Sequence, residues 1–148
     1  MPFRVRTGRR LAAVTLAFGL FIATFVGASA HARYDHSDPT AGAVLDGTPF
    51  VLRAYFSQEL MKASTIRVLD VTGTQVDLGD GRVDTDDPDR KLMVVSLPTL
   101  PPGVYTVEWN SVSAEDGDAE TGTFMFGVGM APPTGDVPTQ NDNSASGT

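Results

Sequence analysis

Alternation of apolar and polar residues dominates the chain between residues 31 and 128. Four segments alternate and a fifth, LMVVSL, is rich in β-branched residues; each is bounded by Gly, Pro or Asp. The segments are PFVLRAYF (49–56), TIRVLDV (65–71), LMVVSL (92–97), GVYTVEWNSVS (103–113) and GTFMFGV (122–128). A period of two between turn residues is typical of half-buried strands. About seven strands in about 100 residues predict an all-β fold, a Greek-key antiparallel β-sandwich of Ig-like or cupredoxin-like type.

The alternation also predicts which residues face the core. On the two strands nearest the C-terminal end of the pattern, Tyr105, Val107 and Trp109 share one face, as do Phe124 and Phe126. The same pattern puts Phe50, Leu52, Ala54 and Phe56 on one face of an earlier strand. A helical turn is predicted only at SQELMKAS (57–64), where Ser57 is a candidate cap.

Both ends of the chain differ from this central pattern. Residues 1–30 combine four arginines, an apolar run and Ala28-x-Ala30, which together are typical of a secretory signal peptide. Cleavage after Ala30 would make His31 the first residue of an exported protein, periplasmic or secreted, with no stable membrane anchor. Residues 131–148 hold little to bury and are predicted to be a disordered tail. The predicted domain therefore covers residues 31–130.

Charge and composition narrow the possible partners. The 148 residues include 18 acidic and 11 basic side chains, a net charge of −7. Loss of the signal peptide removes four arginines and no acid, so 7 basic residues remain and the net charge becomes −11. This balance argues against nucleic acid as a partner. There is no cysteine, which excludes disulfides and thiolate metal sites.

His31 is the first candidate for chemistry. A histidine at a free N-terminus offers its α-amine and its ring Nδ1 to one metal ion, closing a six-membered chelate ring. The amine has an ordinary pKa of about 7.7–8, so a metal ion can displace its proton near neutral pH. Nitrogen ligands in a planar array favour Cu(II). The alternative is that residue 31 begins the mature chain with no particular role.

Further candidates are His36 and the acidic loop 113–122. If residues 32–38 are extended, His36 shares a face with Tyr34 and Asp38. His36 is then either a ligand or a hydrogen-bonded surface residue. In the loop, Asp116 and Asp118 have the spacing that lets two carboxylates reach one cation, although acid-Gly pairs are also ordinary turn chemistry.

Motifs of catalysis are not found in the sequence. It contains no nucleophile elbow, no phosphate-binding glycine loop and no H-x-x-x-H. Two histidines five residues apart do not make a zinc hydrolase site, which usually takes three protein ligands. The four methionines after residue 30 are scattered, so no thioether Cu(I) site is expected: Met61, Met93, Met125 and Met130. The sequence indicates a protein that is not an enzyme.

Several motifs resemble the CopC family of periplasmic copper-binding proteins, which includes PcoC and YobA. They are HARYDHSDPTAGAVLDGTP at residue 31, LRAYFSQEL, LPPGVYTVEWNSVSAEDGD and GTFMFGV. The resemblance implies a seven-stranded sandwich that carries or sequesters copper, with an inner-membrane copper importer of the CopD type as partner. It implies Cu(II) held by the amine and imidazole of the first residue, here His31, and by the Asp and His of a loop D-x-H, where the Asp is Asp116.

This chain departs from the family pattern at one ligand. Asp118 stands where the family has its loop histidine, so a nitrogen donor is replaced by a harder oxygen. Three alternatives follow: Asp118 ligates and weakens the site, His36 restores a third nitrogen, or tight binding is lost. The last would leave a secreted Ig-like interaction module. A copper oxygenase built on a histidine brace is disfavoured because only His36 could supply its second imidazole. Trp109 is expected in the core, near the copper site.

Overall fold

Two β-sheets face each other in the computed structural model, which describes residues 31–134 and 138–142. Nine strands are found in these residues. They are β1 (Tyr34–Asp38), β2 (Val44–Leu45), β3 (Val51–Phe56), β4 (Thr65–Leu69), β5 (Arg82–Val83), β6 (Leu92–Ser96), β7 (Gly103–Val112), β8 (Ala119–Val128) and β9 (Thr139–Asp142).

The strand order confirms the predicted β-sandwich. One sheet has the order β1-β3-β6-β5 and the other β2-β8-β7-β4, with β9 also paired to β8. Every pairing is antiparallel except that of β2 with β8, which is parallel. The structure describes more strands than the pattern predicted because β2 and β5 have two residues each, too few to show a period of two.

The core lies between the sheets and is formed by the residues that the alternation selected. On β7 and β8 these residues are Tyr105, Val107, Trp109, Phe124, Phe126 and Val128, all buried. On β3, Leu52, Ala54 and Phe56 are buried, but Phe50 is 88% exposed because it precedes the strand. The prediction for Phe50 was wrong, since period-two alternation fixes a face only within the strand itself.

The hydroxyl of Tyr105, a buried aromatic residue of this core, has a hydrogen-bond partner. It donates a hydrogen bond of 2.6 Å to the carbonyl oxygen of Pro101, in the turn that leads into β7. Burial raises the pKa of Tyr105, and the negative charge of Asp70 raises it further. The hydroxyl therefore stays neutral and ties the start of β7 to the preceding turn.

Residues 57–64 are not helical, so the predicted helical turn is wrong. Leu60 is buried and forms an isolated bridge with Ser113. Ser57 binds the N-terminal segment instead of capping a helix: its backbone N–H donates to the carbonyl oxygen of Arg33 at 2.8 Å. Tertiary hydrogen bonds thus replace those that a short helix would have made.

The two ends of the chain are described only in part. The predicted signal peptide, residues 1–30, lies outside the described residues. The predicted disordered tail contains β9, which pairs with Glu120–Thr123 of β8, so the structure differs from that expectation at residues 139–142. The edge of β8 offers unpaired backbone groups, which four residues of almost any composition can satisfy. Within the described residues, no helix is long and apolar enough to cross a membrane.

Candidate metal centre

The segment from His31 to Arg33 is clamped between the two sheets. Ala32 is completely buried, and its carbonyl oxygen accepts a hydrogen bond of 2.7 Å from the hydroxyl of Ser111 on β7. On the other side, the hydroxyl of Ser57 donates to the carbonyl oxygen of His31 at 3.2 Å and accepts from the backbone N–H of Arg33 at 3.0 Å. Because both sheets hold the segment, the position of His31 is defined by the tertiary structure.

The β7–β8 hairpin brings the acidic loop to the same end of the sandwich. Its ladder is unbroken from the pair Gly103–Val128 to the pair Val112–Ala119. In the loop, the backbone N–H of Asp118 donates to Oδ1 of Asp116 at 3.1 Å. Gly117 has a φ of 77°, a left-handed conformation that a glycine adopts without strain. The Asp-Gly-Asp sequence therefore forms a tight turn that presents Asp118.

The structure brings His31 together with two carboxylates. Nδ1 of His31 lies 3.5 Å from Oδ2 of Asp118 and 4.0 Å from Oε1 of Glu120. The nitrogen that faces the acids is thus the one that an amine–imidazole chelate uses. The His31 side chain is 8% exposed and that of Asp118 is 47% exposed, so the cluster is open to solvent on the side of the loop.

Glu120 is the residue of this cluster that the sequence analysis did not name as a candidate, although it falls within the acidic loop 113–122. It lies on β8 and is 1% exposed. Besides His31, the Glu120 carboxylate has Arg33 as a neighbour: Nε of Arg33 lies 3.8 Å from Oε1 of Glu120. A signal was present in the sequence: the inward face of β8, read back from Phe124 in steps of two, reaches Glu120.

His36 lies in a different environment. A register shift between Tyr34 and His36 interrupts the pairing of β1 with β3, so the predicted common face of Tyr34 and His36 is wrong. Tyr34 packs inward, whereas His36 is exposed and its ring stacks on Tyr55 with a centroid distance of 4.3 Å. Its Nδ1 lies 2.9 Å from Oδ2 of Asp35.

Side chains alone do not make a complete metal site here. Among residues 31–134 and 138–142, no three His, Cys, Asp or Glu side chains are grouped as ligands of one ion. The cluster of His31, Asp118 and Glu120 has ion-pair distances, longer than bonds from metal to ligand. A metal centre at this point needs a further donor, and the α-amine produced by cleavage before His31 would be one.

An aromatic cluster lies directly behind this segment. The ring of Tyr34 stacks on that of Trp109 at a centroid distance of 6.1 Å, with an angle of 12° between the planes. The indole covers Gly122, where a Cβ atom would lie only 2.2 Å from Cζ2 of Trp109. Burial raises the pKa of Tyr34, with a smaller opposing contribution from its hydrogen bond to Ser37. Trp109, on β7, therefore packs against Tyr34, which follows His31 by three residues, and is a buried reporter of this region.

The chain is similar to copper proteins over this whole domain. Residues 34–129 match the family model described as the CopC domain. The copper transport protein CutJ of Bacillus subtilis is 32% identical over 104 residues, which are 69% of this chain but only 19% of that protein. The chain thus spans about a fifth of the length of this curated relative.

Two solved structures share the fold. The crystal structure of CopC from Methylosinus trichosporium OB3b has a TM-score of 0.59 and 25% identity, covering 66% of this chain and 93% of that one. The structure of PcoC, a methionine-rich copper resistance protein from Escherichia coli, has a TM-score of 0.52 and 26% identity, covering 67% of this chain and 99% of that one. Both similarities agree with the resemblance drawn from the sequence motifs.

Proposed function

Because the chain belongs to the CopC family, we propose that it binds copper and holds it as Cu(II) at a site built on His31. Proteins of this family are copper-binding carriers and not enzymes, which confirms the expectation that the chain is not an enzyme. The observation that carries the proposal is the 3.5 Å distance between Nδ1 of His31 and Oδ2 of Asp118. Both residues are among the four candidate ligands that the sequence analysis named, the others being Asp116 and His36.

The proposed ligand set combines two nitrogens with carboxylate oxygens. After cleavage at Ala30, the amine and Nδ1 of His31 would chelate the ion, and Asp118 would bind in place of the family histidine. Asp116 is the other loop ligand that the family pattern implies. We assign no ligand role to His36, because its ring stacks on Tyr55 and its Nδ1 contacts Asp35. Replacement of an imidazole by a carboxylate makes the site a weaker Cu(II) site than the family pattern describes.

The proposed location is the periplasm or the extracellular space. This location rests on the sequence pattern of residues 1–30. The proposed domain organisation is a signal peptide over 1–30, a copper-binding domain over 31–130 and a tail over 131–148. We propose that the domain delivers copper to, or withholds it from, an inner-membrane importer of the CopD type. The 32% identity to a copper transport protein, of which this chain spans about a fifth, supports a role in copper handling.

Mature protein that begins at His31 provides the test. Mass spectrometry of the exported protein should give residue 31 as the first residue. Titration with Cu(II) should give an axial EPR signal with nitrogen coupling and should quench the fluorescence of Trp109, which is the single tryptophan. In the matched variant, four residues (Gly-Ser-Gly-Ser) precede His31, so the imidazole remains but the amine is moved away.

The extended variant should bind Cu(II) at least about 100-fold more weakly, since a chelate is replaced by separate ligands. Equal affinity and an identical EPR signal in the two proteins would refute the proposed site. A mature protein that starts at another residue would do the same. If neither protein bound Cu(II) above the level of an unrelated acidic protein, the alternative of an interaction module without tight copper binding would replace the proposal.

A further inference from the structure

We infer that Glu120 is a direct ligand of the copper ion, and that Arg33 competes with the ion for its carboxylate. This inference rests on the proposed function and deepens it. It concerns a residue that lies beyond the loop, on strand β8, and that the family pattern quoted above does not include. The evidence consists of the burial of Glu120, its distances to His31 and Arg33, and the exposure of Arg33.

The burial of Glu120 sets it apart from the other acids of the hairpin. Glu115 and Asp116 are exposed, as solvated turn residues normally are, whereas Glu120 is 1% exposed. Burial of a carboxylate is costly unless a cationic group compensates its charge. The groups that face the Glu120 carboxylate include the imidazole of His31, the residue predicted to begin the mature chain, and the guanidinium of Arg33.

The distances around Nδ1 of His31 fit ligands of one ion. Two donors bound at about 2.0–2.2 Å lie about 3 Å apart when adjacent and about 4 Å apart when opposite each other. Oδ2 of Asp118 at 3.5 Å and Oε1 of Glu120 at 4.0 Å both fall in this range. A copper ion bound to Nδ1 on this side would therefore have a carboxylate from the loop and a carboxylate from β8 within reach.

Arg33 occupies the position of a competing cation. Its Nε lies 3.8 Å from Oε1 of Glu120, the same oxygen that faces His31. The backbone of Arg33 is held by Ser57, but its side chain is 61% exposed and can withdraw into solvent without opening the core. Arrival of a dication at His31 would replace the guanidinium as the partner of Glu120. Binding of copper by Glu120 and pairing of Glu120 with Arg33 therefore exclude each other.

The chemistry of the ligand set explains what Glu120 contributes. Asp118 replaces the imidazole expected from the family pattern, which removes one nitrogen donor. A second anionic oxygen adds negative charge next to the ion and offsets part of that loss. The set becomes two nitrogens and two or three carboxylates, richer in hard oxygen donors than the pattern it departs from. Selectivity for copper over harder dications should be correspondingly reduced.

A double-mutant cycle in the mature protein tests the inference. The single variants are Glu120→Gln and Arg33→Gln, with Glu115→Gln and Arg82→Gln as controls for loss of an exposed charge. Cu(II) affinity is measured by competition with a chromophoric chelator, the ligand field by EPR, and the stability without copper by urea unfolding. We expect Glu120→Gln to weaken binding at least about 10-fold and to change the EPR parameters, since removal of a charged ligand alters both.

Arg33→Gln should strengthen binding several-fold in the wild-type background and should have no effect when combined with Glu120→Gln. The control variants should change affinity by less than about two-fold, because exposed charges are screened. An unchanged EPR spectrum and affinity in Glu120→Gln, with wild-type protein binding normally, would overturn the inference and leave the proposed function intact. A change in the free energy of unfolding of Glu120→Gln, with no change in copper binding, would also overturn the inference, since it indicates a purely structural role.

If Glu120→Gln does not fold, Glu120→Asp keeps the charge and shortens the side chain by one methylene group. A direct ligand cannot tolerate this retraction, so binding should weaken and the EPR spectrum should change. Wild-type affinity and an unchanged spectrum in Glu120→Asp would likewise refute direct ligation. Absence of copper binding in the wild-type protein itself would instead refute the proposed function.

Discussion

The two histidines of the domain lie five residues apart and have opposite surroundings. The His31 side chain is almost buried, its backbone is clamped by Ser57, and its Nδ1 faces Asp118 and Glu120. His36 is exposed on the outer side of β1 and stacks on a tyrosine. Both lie within 4 Å of a carboxylate, so proximity of an acid does not distinguish them. The difference is that the acids around His31 come from distant parts of the chain.

The two histidines differ in whether their contacts are local or long-range, and this difference indicates which of them is suited to bind a metal ion. The contact of His36 with Asp35 joins neighbours in sequence, is exposed and orders little of the fold. The contacts of His31 join residues more than 80 positions apart and depend on a hairpin, a clamp and a core. A preorganised site of that kind loses less conformational entropy when a ligand binds. We therefore expect copper to distinguish between the two imidazoles.

The largest effect is expected from removal of each imidazole in turn. In mature protein, His31→Ala should weaken Cu(II) binding by about 100-fold or more, because the Nδ1 half of the chelate is lost. His36→Ala should change the affinity by less than about two-fold. Competition with a chromophoric chelator measures both. A loss of binding in His36→Ala comparable to that in His31→Ala would reverse the comparison and make His36 a ligand.

An intermediate effect is expected from the clamp that holds His31. Ser111→Ala removes the hydroxyl that donates to the buried carbonyl oxygen of Ala32. Loss of a buried donor should lower the free energy of unfolding by about 1–3 kcal/mol. It should also weaken Cu(II) binding several-fold, because His31 is no longer held. Urea unfolding without copper and chelator competition measure the two effects separately.

The control for this variant is Ser37→Ala, which acts near His36. Ser37 is buried and its hydroxyl donates to the carbonyl oxygen of Pro39 at 2.8 Å. Its loss should lower stability to a similar degree but leave the copper affinity unchanged. Equal effects of the two serine variants on copper binding would mean that the clamp contributes only to folding.

The smallest effect is expected at Asp80, a carboxylate used only for structure. The hydroxyl and the backbone N–H of Ser96 donate to it, and these hydrogen bonds lower the pKa of Asp80 below its ordinary value of 3.8. A lowered pKa means that the folded state favours the ionised form. Its contribution to stability is present above pH 3.8 and is lost as the pH falls through the folded-state pKa.

Asp80→Asn should therefore lower stability near pH 7 and reduce its dependence on pH in the acidic range. The carboxylate is 39% exposed, so screening by solvent limits the loss to about 0.5 kcal/mol. Urea unfolding at a series of pH values measures it, with copper affinity as the control. A change in copper affinity would show that this part of the first sheet is coupled to the site at His31.

Sequence reasoning predicted the sandwich because its main signal is local. Alternation on β7 and β8 follows from the geometry of a strand with one buried side, and it placed Tyr105, Trp109 and Phe124 in the core. The same reasoning failed where alternation is interrupted. The register shift in β1 put Tyr34 and His36 on different faces, and a shift of one residue changes the face of every side chain beyond it.

The candidate site could be predicted only in part. His31 and Asp118 followed from motifs and from the family pattern. Glu120 could have been found by extending the inward face of β8, but its neighbour Arg33 could not, because their contact joins the segment before β1 to a strand more than 80 residues later. The helical turn predicted at Ser57 was wrong for the same reason, since Ser57 takes its partners from the N-terminal segment.

The sequence by itself determined the β-sandwich, the acidic charge and the two positions that carry His31 and Asp118. The charge depends on composition, the fold on alternation within each strand, and the two positions on motifs, and none of these requires knowledge of contacts between distant residues. Only the tertiary structure decided that His31 and not His36 faces the acids of the β7–β8 hairpin, that Glu120 is buried beside it, and that Arg33 lies beside the same carboxylate. Contacts between distant residues depend on strand register and sheet packing, which no short stretch of sequence specifies.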